Sequence, residues 1–137
     1  MREILFEGKR KDNGEWVYGF YIENELFDGR LEPSIIPVDE KGAALYDDDG
    51  YNIEIKVNPE AVGQYTGLKD LHGTRIFEAD IVKVYDVYCN ETVVGVVKFC
   101  DGSFHIYDKD FTSYDRWMYC KVEVIGNIHD NPELLER

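Results

Sequence analysis

The chain has 137 residues, 44% of them hydrophobic, and carries 15 Lys and Arg against 28 Asp and Glu for a formal net charge of −13. That apolar content excludes an intrinsically disordered chain and suffices for a core that needs neither metal nor disulfide. The charge opposes binding to a phosphate backbone, because such affinity comes mainly from Lys and Arg, and the nearest approach to a basic cluster, Lys9-Arg10-Lys11, is flanked by Glu7 and Asp12.

Strands dominate the pattern. Ile4-Leu5-Phe6 and Trp16–Ile22 flank an Asn13-Gly14 pair, which predicts an N-terminal hairpin. Ser34-Ile35-Ile36-Pro37-Val38 reads as a short strand that Pro37 demotes to a sheet edge. Glu23 to Gly50 is the most irregular stretch. Tyr51–Val57 alternates, with Ile53, Ile55 and Val57 on one face and Asn52, Glu54 and Lys56 on the other, and is expected to be a half-buried strand. Asn58-Pro59-Glu60-Ala61-Val62 has an N-cap oxygen followed by proline, the signature of a single helical turn, and Asn131-Pro132-Glu133-Leu134-Leu135 repeats it.

In the second half, Asp80–Tyr85, Thr92–Cys100, Ser103–Tyr107 and Lys121–Asn127 read as strands joined by polar turns at Asn90-Glu91 and Asp101-Gly102. Short strands packed this closely suggest a small β-barrel, which removes exposed edges, with Gly95 at a bend or bulge. The expected division is residues 1–60, an N-terminal hairpin and irregular β-rich region, and residues 61–137, the small barrel. No apolar run is long enough to cross a membrane as a helix, and Met1–Gly8 lacks the apolar core of a secretory signal, so a cytoplasmic protein is expected.

Chemical motifs are sparse. Cys89, Cys100 and Cys120 lack the paired spacing of a zinc site and are odd in number, so buried thiols are expected. Asp47-Asp48-Asp49-Gly50 is followed by Tyr51 and Asn58 at the fifth and twelfth positions, which breaks the EF-hand pattern and leaves a hydrophilic turn. His72, His105 and His129 accompany no nucleophile elbow, and no phosphate-binding glycine loop is present. No catalytic residue, cofactor or metal is expected. The aromatic run Phe111–Tyr119, with Trp117 and Tyr119, reads first as core packing and second as rigid contact area for a protein interface, with base stacking disfavoured for want of a cationic groove.

The segment from Val57 through Gly63-Gln64-Tyr65-Thr66-Gly67-Leu68-Lys69-Asp70 to Gly73, continuing into Ile76–Val82, resembles the central signature of the YopX family of phage and prophage proteins. Met1–Ile4, Gly8-Lys9-Arg10 and Trp16–Gly19 resemble that family's start, and Val122–Ile128 with Asn131–Leu135 its end. Ala79 stands where the family usually has Gly, and His72 where it has Asn. The resemblance implies a barrel of the Src-homology-3-like type in the C-terminal half and a phage or prophage origin, and it implies no activity. Gly63 and Gly67 bracket Tyr65, so the signature reads as a structural lock or a partner-binding loop. The functional expectation is a non-enzymatic module that binds itself, as a homo-oligomer, or a host or phage protein. An acidic DNA mimic that inhibits a host nucleic-acid-binding enzyme is the alternative, and a small enzyme without a recognisable motif the third.

Overall fold

In the computed structural model of the protein, residues 3–87, 89–114, 117 and 120–136 are described. The chain is mainly β, 58% strand with almost no helix, and it divides into two compact units, Met1–Gln64 and Tyr65–Arg137. Among the described residues no helix is long and apolar enough to cross a membrane.

The first unit contains β1 (Phe6–Arg10), β2 (Trp16–Glu25), β3 (Leu31–Pro37) and the start of β4 (Ile55–Lys69). β1 and β2 form the expected hairpin, closed at Arg10 N–H to Glu15 O (2.8 Å) with Gly14 at φ +74°. β2 pairs with β3 from Gly19↔Pro37 to Glu25↔Leu31, β3 pairs with β4 at Ser34↔Lys56 and Ile35↔Ile55, and β4 returns to β1 through Gly8↔Val62 and Phe6↔Gln64. β3 is therefore paired on both sides and is not an edge. Its prolines are accommodated because the pairing with β4 is only two residues long and lies between Pro33 and Pro37.

Two further expectations are corrected here. Tyr51–Glu54 is not strand: an isolated Tyr46↔Asn52 bridge holds it, and β4 begins only at Ile55. Asn58–Val62 is not a helical turn but the middle of β4. The Asn58 side-chain oxygen does accept the Glu60 N–H at 3.1 Å, as a cap would. The chain nevertheless stays extended, because β1 takes Val57 opposite Arg10 and Val62 opposite Gly8. Four residues of β4 thus face Lys9 alone, and Pro59 falls in that excursion, where no ladder N–H is required. Val57 and Ala61 are buried on either side.

The second unit begins with the end of β4, followed by β5 (Arg75–Phe77), β6 (Asp80–Asp86), β7 (Glu91–Cys100), β8 (Ser103–Tyr107), β9 (Ser113–Tyr114) and β10 (Lys121–Asn127). The antiparallel sheet order is β10-β6-β7-β8-β9. Ile76, Val82, Val84, Val97, Ile106, Trp117 and Val122 form its core. The β7–β8 turn places Asp101 and Gly102 at φ +50° and +82°, the left-handed pair of a tight hairpin turn. Gly95 is not a bulge, since the β6–β7 register runs unbroken through it. A β-carbon there would lie 2.6 Å from Tyr107 O, so it is a point of close strand approach. Pro132–Leu135 forms the expected C-terminal helical turn, of 3₁₀ type, but Asn131 does not cap it; its side-chain oxygen accepts the Asn127 N–H instead.

One turn recurs in both units. At Asp39, Asp47, Asp70 and Asp108 the aspartate N–H donates to the carbonyl four residues on, and one carboxylate oxygen accepts the N–H groups of the second and fourth following residues. The residue after the third position is left-handed: Gly42, Gly50, Gly73 and, at φ +60°, Phe111. Leu26–Arg30 has the same backbone pattern, with Gly29 at φ +84° and Asp28 accepting from Arg30 N–H.

Ala79, in the turn between β5 and β6, is held at φ +76° by its N–H bond to Val97 O (2.8 Å) and by Ile128 N–H donating to its carbonyl (3.0 Å). A β-carbon in that region is strained, whereas glycine is not. Ala79→Gly is therefore expected to raise stability by about 0.5–1 kcal/mol after the added unfolded-state entropy is subtracted. A shift of the urea midpoint to higher concentration is the expected result, and a lower midpoint would contradict the strain assignment.

Candidate functional site

The signature segment ends in a hairpin between β4 and β5. Tyr65 is buried and paired with Phe77, their rings 5.5 Å apart, with the Arg75 guanidinium 5.8 Å from the Tyr65 ring centre. Thr66 and Leu68 flank Gly67, and these three residues oppose Ile76 alone before pairing resumes at Lys69↔Arg75. Gly67 at φ +89° makes this bulge. The Thr66 hydroxyl fixes it by donating to Ile76 O (2.8 Å) and accepting the Leu68 N–H (3.2 Å). Gly63 and Gln64 lie one step earlier, paired with Glu7 and Phe6.

Asp70 then closes the hairpin and fastens it to β10. One oxygen accepts the His72 and Thr74 N–H groups (both 2.9 Å), and the other accepts Val124 N–H (3.0 Å). Leu71 N–H donates to Val122 O (2.9 Å), and His72 Nε2 lies 3.3 Å from a Glu123 carboxylate oxygen. The loop thus takes up groups along β10 that would otherwise form an open sheet edge. Burial pushes the Asp70 carboxyl up, but the Val124, Thr74 and His72 donors outweigh it and hold the group below the ordinary carboxylate range.

Between this loop and the segment leading into β10 is a cavity of about 240 Å³. Ile76, Trp117 and Val122 are its buried apolar lining, Leu68 and Leu71 are exposed at 39% and 49%, and Lys69, Asp70, Cys120 and Lys121 complete the wall. The consecutive signature residues Leu68, Lys69 and Asp70 and, from the separate aromatic run, Trp117 are brought together here. Trp117 is 1% exposed, with its indole N–H donating to Phe104 O at 3.3 Å, so it contributes lining rather than a free aromatic contact. Tyr119 lies outside the described residues. A second depression, of about 380 Å³, is lined by Arg10, Lys11, Asp12, Glu54, Ile55 and Lys56. Two of its three cations are already offset, Arg10 by Asp12 at 2.7 Å and Lys56 by Glu32 at 3.6 Å.

Two buried acids were not evident from the sequence. Asp80 is 6% exposed and accepts Phe77 N–H at 2.8 Å. Burial, reinforced by the charge of Asp70 and only partly countered by Phe77 N–H, pushes its carboxyl up to about 7. Asp86 is also buried; it accepts the Tyr114 hydroxyl and Cys89 N–H (3.2 Å), and Tyr114 Oη lies 3.7 Å from Cys120 Sγ. The hydrogen bond to Asp86, with burial, holds the Tyr114 hydroxyl well above the ordinary phenol range. The expectation of buried thiols is corrected: Cys89, in a turn, is exposed, and Cys100 and Cys120 are half-buried.

A two-unit antiparallel β protein with a loop-formed pocket is thus the class to which the geometry points. The family model described as YopX protein matches residues 8–136, and the chain belongs to the YopX family. The SPbeta prophage-derived uncharacterized protein YopX of Bacillus subtilis is 36% identical over 72 residues, which cover 48% of this chain and 54% of that relative. Among solved structures, protein EF1440 from Enterococcus faecalis is 26% identical with a TM-score of 0.57, covering 98% of this chain and 99% of its own. The crystal structure of protein yopX from Bacillus subtilis, at 21% identity and a TM-score of 0.56, covers 100% of this chain and 98% of its own and shares the fold.

Two outcomes follow from the buried groups. Tyr65→Ala should cost on the order of 2–4 kcal/mol by emptying the space beside Phe77, and an unchanged melting temperature would show that Tyr65 is not a packing anchor. The unfolded Asp80 carboxyl titrates near pH 4, whereas the folded one holds its proton to about pH 7. Asp80 therefore lowers stability progressively as pH rises from about 4 to 7, by on the order of 4 kcal/mol in total. Asp80→Asn, which keeps an acceptor for Phe77 N–H, should stabilise the protein at pH 8, with the gain vanishing near pH 4. Parallel pH–stability curves for the two proteins would rule this out.

Proposed function

We propose that the chain is a non-enzymatic protein-docking module of prophage origin, acting in the cytoplasm of a bacterial host, with the pocket of the second unit as its docking face. The observation that carries this reading is the joining of four signature or aromatic positions, Leu68, Lys69, Asp70 and Trp117, around one pocket with two exposed leucines beside it. Exposed apolar side chains beside a buried apolar lining are the usual surroundings of a protein anchor. The volume of about 240 Å³ is below the range of small-molecule sites and suits a single inserted side chain. The use made of nearby acids also favours binding over catalysis, since Asp70 and Asp80 accept from backbone N–H groups. The prophage origin rests on the family and on the prophage-derived relative in Bacillus subtilis. We read the second unit as a variant of the small Src-homology-3-like barrel, a reading supported by its meander β6 to β9 with β10 returning beside β6 and by the close approach at Gly95.

The test compares tagged wild type with Leu71→Glu as bait in lysate of a prophage-carrying host. Leu71 is exposed and its backbone bond to Val122 is independent of its side chain, so the variant should melt at the wild-type temperature. A protein retained by wild type and lost with Leu71→Glu, either other copies of the chain or a distinct polypeptide, is the expected result. Identical captures with both baits would overturn the docking reading.

A further inference from the structure

We infer that the occupant of this pocket is the Phe27 turn of a second copy of the chain, an inference that rests on the docking reading above. Phe27 is 114% exposed, the largest exposure among the large hydrophobic side chains of the described residues. It sits at the second position of the Leu26–Arg30 turn, which is closed by Leu26 N–H to Arg30 O (2.8 Å) and Gly29 N–H to Leu26 O (2.9 Å) and braced by the Asp28–Arg30 ion pair at 2.6 Å. A side chain presented on so constrained a turn loses little backbone entropy on docking.

The charges match as well. Lys69 and Lys121 line the pocket, and neither has an ion-pair partner among the described residues. Phe27 is bracketed by Glu25 and Asp28, and Glu25 likewise has no ion-pair partner among the described residues. Two copies each carrying −13 repel as wholes. At physiological salt, however, screening acts over about 8 Å, so charges at the contact decide its sign. There Lys69 and Lys121 outnumber the ionised Asp70 of the same wall, leaving the pocket one net positive charge, and the turn, with Asp28 offset by Arg30, presents Glu25 to it. Knob and pocket are different surfaces, so the contact is heterologous, one copy giving Phe27 and the next receiving it.

Sedimentation velocity of the full chain, from low micromolar to near-millimolar concentration, tests this. Wild type should show a sedimentation coefficient that rises with concentration. Phe27→Ala, which keeps the pocket, and Lys69→Glu/Lys121→Glu, which keeps the knob, should each remain monomeric. An equimolar mixture of the two should form a dimer, because one still has the pocket and the other still has the phenylalanine. All three positions are exposed, and equal melting temperatures would verify the folds. A wild type that stays monomeric, variants that associate like wild type, or a mixture that stays monomeric would each overturn the inference. If wild type is monomeric while Leu71→Glu loses a distinct captured polypeptide, the second-copy inference fails and the docking reading stands; if Leu71→Glu loses nothing, both fail.

Discussion

An aspartate oxygen that takes two backbone N–H groups of a five-residue turn is the interaction on which the order of the strands depends. It occurs at Asp39, Asp47, Asp70 and Asp108. Each turn would otherwise leave donors to solvent, and a carboxylate acceptor makes stronger bonds than a neutral one. At Asp70 the second oxygen reaches Val124, so a local turn also becomes a tertiary tie. Part of the acidity thus has a structural use, in caps spread over several turns, and the charge of the chain need not be read as a surface built to imitate nucleic acid.

Asp70 and Asp80 show how neighbouring carboxylates diverge when the cost of burial is answered by donors in one and not in the other. Three N–H groups keep Asp70 ionised, while burial, with only the Phe77 donor against it and the charge of Asp70 added, raises Asp80 until it holds its proton to about pH 7. The same loop that ties Asp70 down forms one wall of the pocket, and Leu68 and Leu71 remain outward because the backbone, not their side chains, makes the tie. Structural lock and binding loop, two readings of the signature that the sequence left as competitors, are compatible in this geometry.

Legibility in the sequence followed the range of the interactions. Asn13-Gly14 and Asp101-Gly102 marked hairpins correctly, because left-handed turn chemistry is local. Asn58-Pro59 misled for the opposite reason: its cap bond to Glu60 forms as the local pattern suggests, yet pairing with β1, some fifty residues earlier in the chain, keeps the backbone extended. The alternation in Tyr51–Val57 predicted strand too early, since residues before Ile55 lack a ladder partner beyond one bridge. The signature stood out as a motif, but its partners Val122, Val124 and Trp117 are about fifty residues downstream, and no spacing rule brings them to Asp70. Asp80 looked like an ordinary first residue of a strand, and only its burial and the nearby charge of Asp70, ten residues earlier, raise its carboxyl.

The pairing of Phe6 with Gln64 also sets a timetable. During synthesis, β1 acquires β2 as soon as the first hairpin has left the ribosome, but its other edge waits until about sixty residues have been made. For those seconds at ordinary elongation rates the nascent chain displays an unpaired strand edge, the feature most prone to wrong partners. β1 is only five residues long and carries Glu7, Lys9 and Arg10, a short and charged edge that resists such pairing while it waits.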